Sequence, residues 1–508
     1  MLIKSGIIVA FFTMVSRVFG LAREQFIAAV FGASWIADAV NVAFKFPNLF
    51  RRIFGEGALS AVFIPIFNEK VHESPESARK FSGEVLTLLF LALTLLSVIM
   101  QVFMPYLMFL IAPGFHANPE KYELAILLCR ITTPYLIFIS ITAILGGMLN
   151  SVKKFAAFSF SPVIMNICVI LFTYSFKNSL TAHFAISYSL IFAGVLQVTF
   201  MYFALVKAKL AFSLSTNFKD KDVTRLVKKM GPATLSSGAQ QINLFISQSI
   251  ASYIQGAVSI LSYADRLYQF PLALIGVTFG TILLPELSQI YKKKNFTEAN
   301  NLQNRAIIIA LAISLPATVG LFALANPIIH VIYERGAFEA ETTAKTAGVL
   351  AAFALGLPAF VLAKILTPIF YANGDTKTPM RITIYSLLVN TGLNIALMFQ
   401  FAELGIAIGT SVAAWFNVWL LAVGAKQHGN FKISNKTKKI IYKILLSTLI
   451  MLVFLYISDY FYHDLYYSSN FFIKAFSLLF CILMAMMIYL GILFCFKLHL
   501  IFRKNAND

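Results

Sequence analysis

Long apolar runs separated by short, mostly basic segments dominate this chain. A helix that crosses a membrane needs about 20 predominantly apolar residues, and fourteen runs in the 508-residue sequence reach that length. An even number of crossings puts both termini on the same side of the membrane. The pattern predicts an all-α polytopic membrane protein with fourteen transmembrane helices, at 6–31, 35–67, 82–112, 122–149, 157–177, 182–206, 223–254, 258–290, 303–333, 342–372, 380–401, 404–425, 438–460 and 471–497.

The composition excludes an ordinary soluble protein. Hydrophobic residues make up 59% of the chain and charged residues only 12%, and the mean hydropathy is +0.79. A soluble protein carries about a quarter charged residues, because its surface must face water. This chain has too few charges to cover the surfaces of several soluble domains.

The basic residues lie mostly between the apolar runs, and they favour one side of the membrane. With the N-terminus placed in the cytoplasm, the inner segments hold 28 Lys and Arg residues and the outer segments hold five. Cytoplasmic loops of membrane proteins carry such an excess. The distribution predicts cytoplasmic N- and C-termini, and it accounts for the net charge of +19 without a nucleic-acid partner.

A weak internal repeat divides the chain. Phe46–Pro47 in span 2 matches Phe270–Pro271 in span 8, and Arg130–Pro134 in span 4 matches Lys364–Pro368 in span 10. Six spans per repeat is an even number, so the two copies share one orientation, as in transporters built from parallel repeats. The predicted domains are a six-helix N-lobe, a six-helix C-lobe and a C-terminal helix pair outside the repeat, over 1–206, 207–425 and 426–508.

Eight cationic residues fall inside the predicted spans. A charge at the bilayer centre costs about 2.5–3.5 kcal/mol on insertion scales, so such residues usually face a cavity or a partner group and mark functional sites. The eight residues are Arg17, Arg23, Lys45, Arg51, Arg52, Arg130, Arg266 and Lys364.

Arg17, Arg23 and Arg51 predict an anion site in the first two spans. Asp38 and Glu56 lie in the same spans and neutralise only part of the positive charge. The planar guanidinium fork of arginine matches the geometry of phosphate, so the group indicates a phosphate-bearing substrate. Helix-end snorkelling and internal ion pairing are the alternative explanation.

Two interpretations stay open for the remaining cations. For Lys45 and Arg52, snorkelling to the helix end or ion pairing within the protein is as good an explanation as a role in the cavity. Arg130 and Lys364 occupy equivalent repeat positions before a Thr-Pro pair, where pairing at a bend and substrate contact are equally open.

Asp265 and Arg266 are adjacent in span 8 of the second lobe. The repeat places them opposite the first arginine cluster across the lobe interface. Arg266 is therefore predicted to be a fourth substrate contact with Asp265 as its orienting partner, and pairing with other groups is the alternative.

Asn390, Asn394 and Thr410 form a polar set in spans 11 and 12. Such residues commonly hydrogen-bond between membrane helices. An alkali-ion site is the other interpretation, although the set lacks the carboxylate that a hard cation prefers. No metal site or cofactor is predicted, because the seven histidines and four cysteines are scattered singly.

Enzyme signatures are absent from the sequence. It contains no GxxxxGK[ST] phosphate loop, no GxSxG nucleophile elbow and no HExxH motif. The chain is therefore predicted to hydrolyse no ATP itself. If it transports a substrate, the transport is secondary or passively driven, and coupling to the membrane potential or to a monovalent ion stays open.

A set of motifs resembles the MurJ (MviN) family of bacterial lipid II flippases. The resemblance runs through the first twelve spans, and the fourteen-span count also fits. The motifs are SRVFGLAR at 16–23, FGA at 31–33, ADA at 37–39, AFKFPNL at 43–49, RRIFGEGA at 51–58, FIP at 63–65, APGF at 112–115, GPA at 231–233, YADRL at 263–267, GTILLP at 280–285 and DTKTP at 375–379.

The resemblance implies a function in peptidoglycan and cell-wall synthesis, and hence in cell shape. The family belongs to the multidrug/oligosaccharidyl-lipid/polysaccharide (MOP) exporters, with a V-shaped two-lobe fold that alternates access. It implies that lipid II, the undecaprenyl-pyrophosphate-linked disaccharide-pentapeptide, moves from the inner to the outer leaflet of the bacterial inner membrane. Besides lipid II, the implied partners are the phospholipid bilayer and the cell-wall synthesis machinery.

The resemblance also implies site residues. The substrate-binding set is Arg17, Arg23, Arg51 and Arg266 with the acids Asp38 and Asp265, and the last two spans form a groove for the polyprenyl tail. Some members carry an acid where this chain has Gln269. Some members also bind sodium through a set like the one at spans 11 and 12, whose acidic positions are asparagine here.

Two other functions fit the same composition. A cation-coupled small-molecule exporter of the same fold would favour membrane carboxylates, whereas here the cavity cations outnumber the acids. A scaffold that recruits other wall-synthesis proteins would need docking surface, and the predicted loops are short. Export of cationic dyes from vesicles supports the first alternative, and loss of function by single cavity substitutions argues against the second.

Overall fold

The chain folds into α-helices and one short 3-10 helix, Pro113–Ala117, throughout the residues that the computed structural model describes. These residues are 2–50, 60–210, 212–213, 215, 220–428 and 431–497, and no β-strand occurs among them. The prediction of an all-α fold is confirmed. Internal contacts divide the chain into two compact units, Met1–Ser259 and Ile260–Asp508.

Within its described residues, the first unit is a bundle in which α8 packs against α1 and α9, and α2 packs against α6. Its helices are α1 (Leu2–Phe31), α2 (Trp35–Phe50), α3 (Ser60–Glu73), α4 (Pro75–Val102), α5 (Met104–Ile111), α6 (Pro119–Thr132), α7 (Tyr135–Ser151), α8 (Ala156–Phe176), α9 (Ala182–Lys207) and α10 (Lys221–Ala251).

The second unit is built around α14, which packs against α12, α13 and α15. The first helix of this unit, α11, begins three residues before the boundary between the two units. The helices are α11 (Ala257–Lys292), α12 (Phe296–Ala323), α13 (Ala325–Tyr333), α14 (Ala340–Ala372), α15 (Lys377–His428), α16 (Asn435–Tyr466) and α17 (Phe471–Cys495).

Nine helical stretches among the described residues are long and apolar enough to cross a membrane. They cover ten of the predicted spans, because α15 contains spans 11 and 12 on either side of a break at Ala402, where φ is 48° and ψ is −130°. The other four spans fall on α1, α2 with α3, α10 and α11. The chain is a multi-pass membrane protein, and the count of fourteen crossings stays a prediction.

α10 is attached to the first unit near both of its ends. Near its start, Arg225 pairs with Glu69 at 2.8 Å and Lys70 of α3 pairs with Asp222 at 2.7 Å. The hydrogen bond that Lys70 donates to Asp222 raises the pKa of the lysine above its ordinary value. Near the end of α10, the Ser249 hydroxyl donates to two carbonyl groups at the end of α5. The predicted lobe boundaries at 206 and 425 rest on the repeat and stay a prediction.

The two Thr-Pro positions of the repeat share a local hydrogen bond. The hydroxyl of Thr133 donates to the carbonyl of Cys129 at 2.6 Å, and that of Thr367 donates to the carbonyl of Ala363 at 2.8 Å. Proline cannot donate to the helix and clashes with the preceding turn. The chain breaks between α6 and α7 at the first position, whereas α14 continues through Pro368 at the second.

The C-terminal helix pair packs against α12. The Tyr489 hydroxyl donates to the carbonyl of Ala312 at 2.7 Å. The Asn304 side chain donates to the carbonyl of Lys432 at 2.9 Å and accepts from the backbone N–H of Ser434 at 3.1 Å. The same Ser434 then caps α16 by accepting from the backbone of the first turn. These contacts hold α16 and α17 to the second unit.

Candidate functional site

Arg23 on α1 is buried, with 3% of its surface exposed. Its Nη1 donates to Oδ1 of Asn166 at 3.0 Å, and its Nη2 binds the carboxylate of Glu24. The guanidinium carbon lies 4.2 Å from the centre of the Phe44 ring. Charge-assisted hydrogen bonds are stronger than neutral ones, and a desolvated cation–π contact is stronger than an exposed one. Together they hold this guanidinium in one orientation.

Asn166 on α8 positions both the arginine and the helix that carries it. While its oxygen accepts from Arg23, its Nδ2 donates to the backbone carbonyl of Ser16 at 3.2 Å. Asn166 is 3% exposed and Glu24 is 4% exposed. Buried polar groups of this kind are tied into networks, because an unmade hydrogen bond in an apolar setting is costly.

Arg17 lies on the same helix as Arg23 and is half-buried. The six-residue separation turns the helix by about 240° net at 3.6 residues per turn, so the two side chains leave α1 in different directions. Lys45 on α2 is also half-buried. Three other predicted site residues, Arg51, Arg52 and Glu56, lie outside the described residues.

Asp38 on α2 is fully buried and accepts four hydrogen bonds. Oδ2 accepts from Nζ of Lys121 at 2.7 Å and from the backbone N–H of Gly256 at 2.8 Å. Oδ1 accepts from the backbone N–H of Ser259 at 3.0 Å and from its hydroxyl at 2.8 Å. Asn41 donates to the same hydroxyl oxygen at 3.2 Å. We call Asp38, Lys121, Gly256 and Ser259 the Asp38 network.

Local helix starts bring the Asp38 network together. The Ser34 hydroxyl accepts from the backbone N–H of Ala37, so α2 begins just before Asp38 and its N-terminus favours the carboxylate. Asn118 caps α6 in the same way, with a proline in the first turn, and places Lys121 there. The Lys121 ammonium also lies 4.0 Å from the centre of the Phe115 ring.

Gly256 is a position where only glycine fits, and replacing it tests the Asp38 network. Its φ is +80°, and an added Cβ would lie 2.5 Å from the carbonyl oxygen of Ala33. We expect Gly256→Ala to destabilise the protein by about 2 kcal/mol or more, because both the left-handed backbone and the contact are unfavourable. The measurement is the thermal unfolding midpoint of the purified protein.

Gly320→Ala is the matched control for this substitution. An added Cβ at Gly320 on α12 meets no atom within 4 Å, and alanine favours a helix over glycine by up to about 1 kcal/mol. We expect that control to keep or raise the unfolding midpoint. A Gly256→Ala protein as stable as the control would contradict the tight packing at the start of α11.

The secondary cations are more exposed than Arg23. Arg130 is exposed and its Nε donates to the backbone carbonyl of Gln101 at 3.1 Å. Lys364 on α14 is also exposed. Their predicted roles in substrate contact stay predictions.

In the second unit, Asp265 accepts a short hydrogen bond from Nε2 of Gln269 one turn later on α11. Gln269 therefore has a local structural partner. Arg266 is exposed. Its predicted place opposite Arg17 and Arg23 and the orienting role of Asp265 stay predictions.

The asparagine pair on α15 makes hydrogen bonds within the protein. With the Asn394 amide oriented so that its nitrogen donates, it contacts Oδ1 and the backbone carbonyl of Asn390 at 3.2 and 3.1 Å and the carbonyl of Ile406 at 3.1 Å. The Thr410 hydroxyl donates to that same Ile406 carbonyl at 2.8 Å. These bonds join the two halves of α15. The ion site at this set stays a prediction, as does the coupling force.

Comparison with protein-family models identifies the family of this chain. The model described as lipid II flippase MurJ matches residues 27–477. The chain belongs to the MurJ lipid II flippase family. The resemblance seen in the sequence motifs is thereby confirmed, and the chain is a transporter rather than an enzyme.

Relatives from several bacteria align over most of their length. A Rickettsia prowazekii (strain Madrid E) protein named probable lipid II flippase MurJ is 54% identical over 497 residues, which are 98% of each chain. A Rhizobium tropici protein of the same name is 43% identical over 84% of this chain and 82% of its own. A Burkholderia cenocepacia protein named lipid II flippase MurJ is 36% identical over 85% of each.

Solved structures show the same architecture. A lipid II flippase MurJ in an inward closed conformation superposes with a TM-score of 0.80 at 30% identity, over 97% of this chain and 100% of that chain. An inward-facing multidrug resistance MATE family transporter of the MOP superfamily gives a TM-score of 0.66 at 16% identity, over 86% and 98%. The second likeness shows the fold alone.

The structure adds residues that the sequence interpretation missed. The sequence pattern does not point to Glu24, Asn166 or Ser259, and it places Lys121 only among the five outer cations. A buried acid beside Arg23 and an asparagine within an apolar run were the available signals. Their partners, 143 and 221 positions away for Arg23–Asn166 and Asp38–Ser259, could not be paired from one sequence.

Proposed function

We propose that this chain flips lipid II from the inner to the outer leaflet of the bacterial cytoplasmic membrane. Its membership of the MurJ family supports the substrate, because relatives that align over nearly the whole chain carry that name. The observation that carries the proposal within this chain is Arg23, a buried guanidinium held in one orientation on a predicted membrane helix.

The pyrophosphate of lipid II is the group that such arginines suit. A guanidinium remains charged at all physiological pH values and offers five N–H donors in a planar fork. We assign Arg23 and Arg17 on α1 to the pyrophosphate. Arg51, Arg266, Asp38 and Asp265 complete the set that the sequence predicts.

The transport cycle that we propose alternates access between the two sides. A carrier of this kind must keep one side closed while the other is open, and binding can shift that balance only through differential affinity for the two states. The Asp38 network ties α2, α6 and the start of α11, which lie at the outer side in the proposed orientation. Separation of the predicted lobes at this end would require the three hydrogen bonds from Gly256 and Ser259 to break, because Lys121 lies in the same predicted lobe as Asp38.

The remaining parts of the substrate suit other regions of the chain. We propose that the polyprenyl tail follows α16 and α17, whose outward faces are apolar, with exposed Phe472, Phe476 and Phe494. The orientation with both termini in the cytoplasm follows from the charge distribution of 28 inner and five outer cations. Cell-wall synthesis proteins are the proposed protein partners.

The test is outer-leaflet exposure of lipid II in cells that are depleted of their own flippase and carry this gene. We expect the wild type to restore exposure and Arg17→Ala to abolish it at an unchanged protein level, because removing the guanidinium removes a pyrophosphate contact. Arg79→Ala is the control, since Arg79 is exposed and lies in a predicted inner loop, and we expect it to behave as the wild type.

The two parts of the proposal fail separately. A wild-type protein that inserts correctly without restoring exposure would contradict lipid II as the substrate. In cells where the wild type restores exposure, full exposure with Arg17→Ala would be consistent with lipid II as the substrate. It would contradict the proposed role of Arg17 in binding that substrate.

A further inference from the structure

A pocket lies where α16 and the end of α17 meet. It has a volume of about 490 Å³ and is lined by Lys438, Lys439, Tyr442, Lys443, Leu446 and Phe496. In the proposed orientation this end of the helix pair faces the cytoplasm. The pocket therefore combines a cationic rim and an apolar wall at the level where a membrane begins.

The lysines and the apolar wall share one face of α16. Lys439 and Lys443 are four residues apart, so they are neighbours on the helix surface, and Leu446 follows on the same face one turn deeper. The Lys443 ammonium lies 5.5 Å from the centre of the Phe496 ring of the neighbouring helix end. Along this face of α16, the side chains change from lysine to apolar within about one helical turn.

No acidic side chain of its own helix pair neutralises this rim. The sequence holds no Asp or Glu between 404 and 458 or between 465 and 507. Among the described residues, none of Lys438, Lys439 and Lys443 forms an ion pair. Lys438 and Lys439 are exposed and Lys443 is half-buried. The positive charge is thus available to an external anion.

We propose that this pocket binds the headgroup of an anionic phospholipid of the inner leaflet. The phosphate would lie among Lys438, Lys439 and Lys443, and the first part of an acyl chain would pack on Leu446 and Phe496. Basic pockets between membrane helices on the cytoplasmic side suit anionic lipid headgroups. The apolar wall distinguishes a lipid from a free phosphate ion, which has no hydrocarbon to bury.

Topology alone does not require a pocket at this place. Cytoplasmic lysines fix orientation wherever they lie in a short loop, and the run Lys292–Lys294 at the end of α11 meets that need with exposed side chains. That run is consequently a control with the same charge on the same predicted side. A site-specific lipid and a general attraction to the membrane surface predict different results for the two clusters.

The experiment counts lipids bound to the purified full-length chain by native mass spectrometry, with phosphatidylglycerol or phosphatidylcholine added and no lipid II present. We expect the wild type to retain phosphatidylglycerol in preference to phosphatidylcholine. Lys439→Gln with Lys443→Gln should weaken phosphatidylglycerol binding about 10- to 30-fold, because each of the two lysines near a membrane surface contributes about fivefold. Lys293→Gln with Lys294→Gln should change it less than about twofold.

Arg replacements and a phosphate competition complete the test. Lys439→Arg with Lys443→Arg keeps the charge and should keep the binding, which also shows that the site tolerates substitution. Equal losses in the pocket variant and the Lys293/Lys294 variant would overturn the proposal in favour of non-specific attraction. Displacement of the lipid by millimolar inorganic phosphate would overturn it in favour of a free-anion site. Flippase activity is not a readout, so failure here leaves the lipid II proposal untouched.

Discussion

Lys121→Met is expected to lower the stability of the protein sharply, by about 3–5 kcal/mol, because it leaves a buried carboxylate without its counter-ion. Asp38 has no exposed surface and Lys121 is 4% exposed. Three hydrogen bonds from Gly256 and Ser259 remain to the carboxylate, but they do not balance its charge. Asp38→Asn should lower the stability by a similar amount, because it leaves the buried Lys121 ammonium without its counter-ion.

The measurement is the thermal unfolding midpoint of the purified protein in one detergent. The control is Lys345→Met, because Lys345 and Glu341 are also 2.7 Å apart but are half or more exposed. Exposed ion pairs contribute about 0–1 kcal/mol, so the control should move the midpoint little. The double variant Asp38→Asn with Lys121→Met should be more stable than the sum of the two single losses, because residues in contact couple by up to about 3 kcal/mol.

Two results would contradict this account of the Asp38 network. The first is a Lys121→Met protein as stable as the Lys345→Met control. The second is strict additivity in the double variant, which would mean that the two charges do not interact in the folded protein.

The helices could be predicted from the sequence because the membrane imposes their length. Spans 5 and 6, predicted at 157–177 and 182–206, are observed at Ala156–Phe176 and Ala182–Lys207. Backbone breaks inside the spans were harder to predict. The chain breaks at Phe103, at Thr133–Pro134 and at Leu324. A proline lies at or just after each break, but α12 and α14 continue through Pro316 and Pro368, so proline alone does not mark a break. The outcome at each place depends on packing that a single sequence does not reveal.

From the sequence, the site could be predicted only as a set of charged residues that are unfavourable to bury in a membrane. The cost of burying charge pointed to Arg23 and Asp38, and both are buried. The sequence did not reveal that each already has partners in the protein, since Asn166 and Lys121 lie on helices that are distant in the chain. An intramembrane charge thus identifies a place where polar groups must converge, and only the fold shows which groups they are.

Arg23 and the Asp38 network are held by their partners in different ways. Asp38 is bound at both oxygens by an ammonium, a hydroxyl and two backbone groups. Arg23 uses two terminal nitrogens for Asn166 and Glu24, and its planar cation also stacks on Phe44. An arrangement that fixes the plane of a guanidinium suits the recognition of a planar or tetrahedral oxyanion. For this reason we expect the shape of this side chain, as well as its charge, to determine transport.

Arg23→Lys is expected to reduce lipid II flipping about 10- to 100-fold at an unchanged protein level. Lysine keeps the positive charge but is a point donor without the fork, so it cannot hold Asn166, Glu24 and an anion in the same geometry, and a charge-assisted hydrogen bond contributes about 1.5–3 kcal/mol. The measurement is outer-leaflet exposure of lipid II per molecule of inserted protein, with Arg79→Lys as the control. Wild-type exposure with Arg23→Lys would show that charge alone suffices, and a loss explained by lower protein level would make Arg23 a structural residue.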